Sequence, residues 1–147
     1  MITKDSNAPG TSAQSANGVI RIIIADADTG FMTSIQDYLQ AQPGYEVVAR
    51  VESCMDTLVW CEELKPQILI LDWHLMFEGL LPAEQKGVTF LQKIKALKNP
   101  PAVIVASRLS LDDHRAAALA AGADEFMPKT KFPQLIRPLI KQLVAKS

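Results

Sequence analysis

The stretch ILILD, residues Ile68–Asp72, is a run of four branched aliphatic residues that ends in an aspartate. A short apolar run without polar alternation is typical of a strand that is buried on both faces, as in a parallel sheet. Ile22–Ile24 is a second run of this kind, and Asp26 follows it closely. The two runs therefore predict strands in the interior of a parallel sheet, each with an acid at its carboxyl end.

Short apolar runs of this kind alternate with helical patterns along the chain. The predicted strands are Ile20–Ala25, Tyr45–Val51, Ile68–Leu71, Ala102–Ala106 and Glu125–Met127. Apolar residues at helical spacing follow each run, as in Val88–Leu97 and Leu135–Leu143, and predict five helices. Five strands alternating with five helices predict an α/β fold, in which a doubly wound, five-stranded parallel sheet carries helices on both faces.

The composition fits one globular domain without a membrane segment. The chain has 147 residues, of which 48% are hydrophobic and 21% charged, and its formal net charge is −1. No apolar run approaches the roughly 20 residues that a membrane helix needs. The charge gives no electrostatic reason to expect a nucleic-acid or membrane partner. Residues 1–18 are rich in small polar residues and predict a flexible tail before a domain at 19–147.

The two cysteines predict a reducing compartment. Cys54 and Cys61 are seven residues apart on one predicted helix. Two helical turns separate them by roughly 10 Å, which is beyond disulfide reach. We expect both to be reduced packing residues of a cytoplasmic protein.

Four polar residues stand at the predicted strand ends. Asp26 follows the first strand, Asp72 the third, Ser107 the fourth and Lys129 the fifth. The carboxyl ends of parallel strands meet at one edge of the sheet, where ligands bind. Carboxylates there can hold Mg²⁺, a hard cation that prefers oxygen ligands. A lysine and a hydroxyl beside them can bind phosphoryl oxygens, so the four residues predict a phosphoryl-handling site.

The chain from residue 19 to its end resembles a response-regulator receiver domain of two-component signalling, in the CheY-like superfamily. The motifs that carry the resemblance are Ile22–Asp26, Pro66–Asp72, Val103–Ser107, Ala121–Asp124 and Lys129. The resemblance implies a flavodoxin-like sheet with the strand order 2-1-3-4-5. It also implies a signalling module and not an enzyme.

By this resemblance, Asp72 accepts a phosphoryl group from a sensor histidine kinase or a histidine phosphotransfer protein. Mg²⁺ would be held by Asp26, Asp72 and the backbone carbonyl of His74. The family usually has a second acid where this chain has Ala27. We therefore expect metal binding to be weak.

The resemblance also assigns the switch residues. Ser107 and Lys129 would bind the phosphoryl oxygens, and Phe126 would occupy the aromatic switch position. The fourth and fifth helices would then present a face to a downstream protein. No DNA-binding segment follows the domain in this sequence, so we expect the output to pass through a protein partner.

Two further departures from the family pattern concern loops. Thr130 stands where proline is common after the lysine, and the segment Trp73–Lys86 is several residues longer than usual. The apolar residues of this segment predict either a local cluster folded onto the domain or a lid or docking surface beside Asp72.

Two other functions remain open at this stage. A receiver that lacks a metal ligand could work as a phosphorylation-independent interaction module, or pseudo-receiver. A phosphatase of the haloacid-dehalogenase type could instead use Asp26 as nucleophile and Asp28 as acid, since the stretch Asp26–Gly30 looks like that family's motif. That scheme leaves Asp72 without a role and places Lys129 after Asp124 and Glu125, the reverse of the expected order.

Overall fold

The computed structural model describes residues 18–76, 90–109 and 112–146. Its centre is a five-stranded sheet in which all paired strands are parallel and the order is β2-β1-β3-β4-β5. The strands are β1 Ile20–Ala25, β2 Tyr45–Val51, β3 Ile68–Asp72, β4 Ala102–Ser107 and β5 Glu125–Pro128. The predicted fold and strand order are confirmed.

The described residues form six helices around the sheet. They are α1 Thr29–Gln40, α2 Cys54–Leu64, α3 Trp73–Met76, α4 with residues 90–95 described, α5 Asp112–Ala120 and α6 Phe132–Ala145. A 3-10 turn, Lys129–Lys131, joins β5 to α6. In the described ranges no helix has both the length and the apolar character needed to cross a lipid bilayer.

The predicted number of five helices is wrong, because α3 is an additional short helix directly after β3. A side-chain oxygen of Asp72 accepts a hydrogen bond from the backbone N–H of Leu75 at 3.0 Å and closes this turn. Four residues are too few to show helical periodicity in a sequence. Leu75 and Met76 are buried in the core, as the local-cluster interpretation expects. Residues 77–89, which carry the rest of the long segment, lie outside the described residues, as do residues 1–17 of the predicted tail.

The sheet is covered on both faces, which explains its unbroken apolar runs. Alternate residues of a strand point to opposite faces. Ile23, Leu69 and Val103 face one core layer, in which α2, α4 and α5 take part. Residues one position away face the other layer, beneath α1 and α6: Ile22, Ile24, Ile68, Ile70 and Ile104. Both kinds of position are buried, so an unpaired polar side chain at either would lower the stability of the fold.

Both cysteines carry free thiols, as predicted. Cys61 is buried on α2, and burial raises the pKa of its thiol to about 12. Cys54 lies at the start of α2, and its Sγ donates to the backbone carbonyl of Leu75 at 2.9 Å. This hydrogen bond attaches α2 to α3.

Strand register places the four polar strand-end residues along one edge of the sheet. Ala25 of β1 lies beside Leu71 of β3, so Asp26 and Asp72 both follow at the same level. In the other direction, Ser107 of β4 pairs with Pro128 of β5, and Lys129 comes next. The carboxyl edge of the sheet therefore carries the candidate site.

The turn after α5 requires a glycine. Gly122 has a φ of +115°, which L-residues rarely adopt. The following N–H, of Ala123, donates to the carbonyl of Ala118 at 3.0 Å, and the N–H of Asp124 donates to the carbonyl of Val103 at 2.9 Å. Gly122 thus ends α5 and directs the chain into β5, which leads to Lys129.

We expect Gly122→Ala to lower the free energy of unfolding by about 1–3 kcal/mol, because alanine is strained at this φ. Urea unfolding monitored by circular dichroism measures the change. Gly30→Ala is the matched control, since Gly30 lies in the first turn of α1 without a positive φ. It should leave stability unchanged or raise it slightly. Equal losses in the two variants would contradict the assignment of strain to Gly122.

Candidate functional site

The centre of the site is an ion-paired triad formed by Lys129, Asp26 and Asp72. The Lys129 ammonium lies 2.7 Å from Oδ2 of Asp26 and 2.7 Å from Oδ1 of Asp72. All three side chains are buried. The sheet positions them, since they follow or end strands β1, β3 and β5. Lys129 therefore joins the ends of three strands through two ion pairs.

Backbone donors hold the other oxygen of each carboxylate. Oδ1 of Asp26 accepts from the N–H of Asp28 at 2.9 Å, and Oδ2 of Asp72 accepts from the N–H of Leu75. Burial raises the pKa of Asp26, although the hydrogen bond from Lys129 lowers it in part. Both carboxylates are therefore oriented before any ligand arrives.

An open cleft of about 370 Å³ lies next to the triad. The residues that line it are Asp26, Ala27, Asp28, Asp72, His74, Arg108 and Lys129. Six of these seven residues have polar or charged side chains, and the two carboxylates of the triad lie at the carboxyl ends of β1 and β3. Its size suits a small anion such as a phosphoryl group together with water.

Asp28 does not simply replace the acid that the family usually has at the position of Ala27. Its Oδ1 accepts from the N–H of Phe31 at 3.1 Å and caps α1, while its Oδ2 pairs with Arg108 at 2.9 Å. The hydrogen bond from Phe31 and the pairing with Arg108 lower the pKa of Asp28. A general acid needs a carboxyl that stays protonated near neutral pH. Asp28 therefore does not suit the acid role of the phosphatase alternative.

The hydroxyl of Ser107 has its contacts with residues outside the triad. Its Oγ lies 3.2 Å from Nδ1 of His114 on α5 and accepts from the N–H of Leu109 at 3.1 Å. The His114 ring is stacked on the indole of Trp73, with ring centroids 4.1 Å apart and an interplanar angle of 11°. The structure thus brings Asp26, Asp72 and Lys129 into direct contact, and Ser107 lies beside them with different partners.

Phe126, the predicted aromatic switch residue, is buried on β5. It pairs with Val105 of β4 and lies in the same core layer as Ala118 of α5. Strand β5 contacts α5, the helix that carries His114.

Three residues that contact the site residues were not predicted from the sequence. The Lys129 ammonium lies over the Phe31 ring, 4.6 Å from the ring centroid. Arg108 pairs with Asp28 at the cleft, and His114 contacts Ser107. Arg108 had a usable signal, because it directly follows Ser107 at a strand end. Phe31 and His114 look like ordinary helix residues in the sequence.

The donors for a metal ion are few. Among the residues that the structure describes, no group of three or more His, Cys, Asp or Glu side chains could hold a metal ion. Asp26 and Asp72 are two carboxylates at the cleft, and Ala27 adds no side-chain oxygen. Two carboxylates suit Mg²⁺, which keeps several of its waters, better than they suit a metal that needs a full protein cage.

Comparison with known proteins agrees with this geometry. The family model of the response regulator receiver domain matches residues 22–141, which include the triad, Ser107 and Phe126. The chain belongs to the response regulator receiver domain family. Receiver domains act in two-component systems, where they interact with histidine kinases and downstream effectors. Aspartate phosphorylation and Mg²⁺ binding at an acidic pocket are general to the family.

Individual relatives contain this receiver domain within longer chains. The protein is 27% identical over 130 residues to protein-glutamate methylesterase/protein-glutamine glutaminase 1 of Methanospirillum hungatei, a match that covers 87% of this chain and 36% of that protein. It is 27% identical over 126 residues to the transcriptional regulatory protein PrrA of Mycobacterium tuberculosis, covering 85% of this chain and 48% of that protein. The chain therefore spans between about a third and a half of these curated relatives.

A solved structure shows the same fold. The crystal structure of the response regulator domain of Thermotoga maritima CheB has a TM-score of 0.71 and 22% sequence identity to this chain. The match covers 86% of this chain and 97% of that one.

The prediction that the protein is not an enzyme is wrong. Several relatives are named protein-glutamate methylesterase/protein-glutamine glutaminase, which are enzyme names. The matched region is 36%, 27% and 29% of those proteins and corresponds to their receiver domain. The prediction failed because receiver motifs report only on the phosphoryl site, whereas these relatives show that a receiver domain can be part of a protein with an enzyme name.

We expect Lys129→Met to lower the free energy of unfolding by about 3 kcal/mol at neutral pH, because it leaves two buried carboxylates without their cation. The pKa of Asp26 is already raised, so folding favours its protonated form, and its ionisation costs stability as pH rises through that pKa. The loss in Lys129→Met should therefore shrink as pH falls through the raised pKa. Urea unfolding at neutral and mildly acidic pH measures both values.

Arg108→Gln is the matched control for this experiment. It removes a cation from the same cleft, but the Arg108 side chain is 69% exposed. Exposed pairs contribute about 1 kcal/mol or less, so the control should change little at either pH. Equal losses in the two variants, or a Lys129→Met loss that does not vary with pH, would contradict the electrostatic account.

Proposed function

We propose that residues 19–147 form a receiver domain that accepts a phosphoryl group on Asp72 from the phosphohistidine of a sensor kinase or phosphotransfer protein. The observation that carries the proposal is the buried triad, in which Lys129 lies within hydrogen-bond distance of both Asp26 and Asp72 at an open cleft. An ammonium in this position can donate a hydrogen bond to an oxygen of a phosphoryl group on Asp72.

The chemistry assigned to Asp72 is a single displacement at phosphorus. A carboxylate oxygen of Asp72 forms the new P–O bond while the P–N bond to the donor imidazole breaks. The donor imidazole carries a proton on its other ring nitrogen, so it leaves as neutral imidazole. The hydrogen bond from Leu75 orients the carboxylate, and Lys129 compensates the negative charge on the transferred group. Asp26 holds the other side of Lys129.

Asp26, Asp72 and the backbone carbonyl of His74 are the proposed ligands of Mg²⁺. When bound, the ion would neutralise negative charge on the phosphoryl oxygens. His74 lines the cleft with both carboxylates, which supports this set. Ala27 lines the same cleft without offering a ligand, so we propose that binding is weak.

We expect Ala27→Asp to strengthen Mg²⁺ binding at least about tenfold, since altered partners around a metal already change affinity by about 10–100-fold. Titration followed by the fluorescence of Trp73, the residue after Asp72, measures the affinity. Ala41→Asp is the control, because Ala41 lies at the exposed end of α1. The same affinity in wild type and Ala27→Asp would show that this position does not limit metal binding.

The proposed output is a change at the face formed by α5, β5 and α6, which docks a downstream protein. Ser107 and Phe126 are the proposed switch residues. Phe126 lies beneath α5 and Ser107 contacts its His114, so movement at either residue would reach this helix. The proposed compartment is the cytoplasm, where free thiols such as Cys54 and Cys61 are stable.

A phosphorylation-independent interaction module is the second candidate. Ala27 favours it because a metal ligand is missing, and the pairing of Asp28 with Arg108 leaves no obvious substitute. The two candidates share the fold and differ only in whether Asp72 takes up phosphate.

Phosphorylation of intact protein separates them. We expect acetyl phosphate and Mg²⁺ to add the mass of one phosphoryl group to the wild-type protein and none to Asp72→Asn, since the amide is a poor nucleophile. Intact-protein mass spectrometry is the measurement, and Asp37→Asn on the exposed side of α1 is the control. An unmodified wild type would favour the interaction module, and label on Asp26 would refute the assignment of Asp72.

A further inference from the structure

Ser107 already uses its hydroxyl outside the phosphoryl cleft. The side chain is buried, with 1% of its surface exposed, and Ser107 is not among the described residues that line the cleft. Its Oγ accepts from the N–H of Leu109 and lies within hydrogen-bond distance of His114 Nδ1. A hydroxyl has a single hydrogen to donate. While that hydrogen is given to His114, it cannot be given to a phosphoryl oxygen.

The imidazole of His114 is held on a second side by Trp73. The two rings are stacked nearly parallel, with centroids 4.1 Å apart. Trp73 is half-buried and directly follows Asp72, whereas His114 lies on α5. The stack therefore fixes the imidazole plane, so that Nδ1 faces Ser107, and it ties α5 to the residue next to the proposed phosphoacceptor.

We infer that His114 is a positioning residue that holds the Ser107 hydroxyl away from a phosphoryl group on Asp72. The inference rests on the proposed function, because it concerns access of Ser107 to that group. In the neutral tautomer with Nδ1 unprotonated, Ser107 donates to His114. Phosphorylation draws the hydroxyl to the phosphoryl oxygen and breaks this hydrogen bond, which releases α5 from β4.

This arrangement sets the affinity of the site for its phosphoryl group. The new hydrogen bond from Ser107 replaces the one to His114, so only the difference between them favours the switched state. Removing the His114 partner while keeping its ring should therefore strengthen binding of a phosphoryl mimic. The effect must pass through Ser107, and this requirement separates positioning from a general change in α5.

The experiment uses the whole chain and beryllofluoride with Mg²⁺ as the mimic of the phosphoryl group. His114→Phe keeps a planar ring for stacking on Trp73 and removes the hydrogen-bond partner of Ser107. His114→Asn keeps a polar group near the position of Nδ1 and removes the stacking ring. Each variant is made in the wild-type and the Ser107→Ala backgrounds, and amide NMR titration gives the dissociation constant.

We expect His114→Phe to bind beryllofluoride roughly three- to tenfold more tightly than wild type, which corresponds to the net contribution of one hydrogen bond. His114→Asn should stay within about twofold of wild type, because it retains a partner for Ser107. In the Ser107→Ala background, His114→Phe should have no effect. Thermal unfolding confirms that each variant is folded, and His114→Asn keeps the test usable if the phenylalanine variant is not.

Several results would overturn the inference. Unchanged or weaker binding in His114→Phe would show that His114 does not compete for the hydroxyl. The same gain with and without Ser107 would show that His114 acts by another route. Equally tight binding in His114→Asn and His114→Phe would show that loss of the hydrogen-bond partner is not the cause, because the asparagine keeps a partner for Ser107. A wild-type protein that binds no beryllofluoride would instead refute the proposed phosphoacceptor site, and the inference with it.

Discussion

The pairing of one buried ammonium with two buried carboxylates is the interaction on which the site depends. Moving a charge out of water costs several kcal/mol unless it is paired and hydrogen-bonded, so Lys129, Asp26 and Asp72 are tolerable only together. Three strands must therefore end at the same level with β1 next to β3, as the parallel order places them. Backbone donors from the turns after β1 and β3 complete the pairing. The triad thus couples the sheet edge to the conformation of its loops.

The comparisons show how one receiver site serves different outputs. A methylesterase/glutaminase and a transcriptional regulator both contain a region similar to this chain. A receiver domain therefore does not by itself determine the activity of the protein that contains it. In this chain the contacts of His114 with Ser107 and Trp73 connect α5 to the carboxyl ends of β3 and β4.

The amino-acid sequence by itself determined the fold and the identity of the triad. All five predicted strands are within one residue of the observed bounds, since runs such as Ile68–Leu71 are buried on both faces and leave little ambiguity in a parallel sheet. Asp26, Asp72 and Lys129 could be grouped because the carboxyl ends of parallel strands share one edge. These three residues meet because of the sheet topology, and the alternation of strands and helices in the sequence predicts that topology.

Only the tertiary structure decided which partners the remaining polar groups take. The sequence predicts Ser107 at the phosphoryl group, whereas the folded chain pairs its hydroxyl with His114, seven residues along on a helix. Asp28 and Arg108 meet although they are 80 residues apart, and α3 forms because a carboxylate caps its single turn. Periodicity reports which face of an element is buried. It does not report the direction of a polar side chain, because that direction depends on atoms brought together by folding.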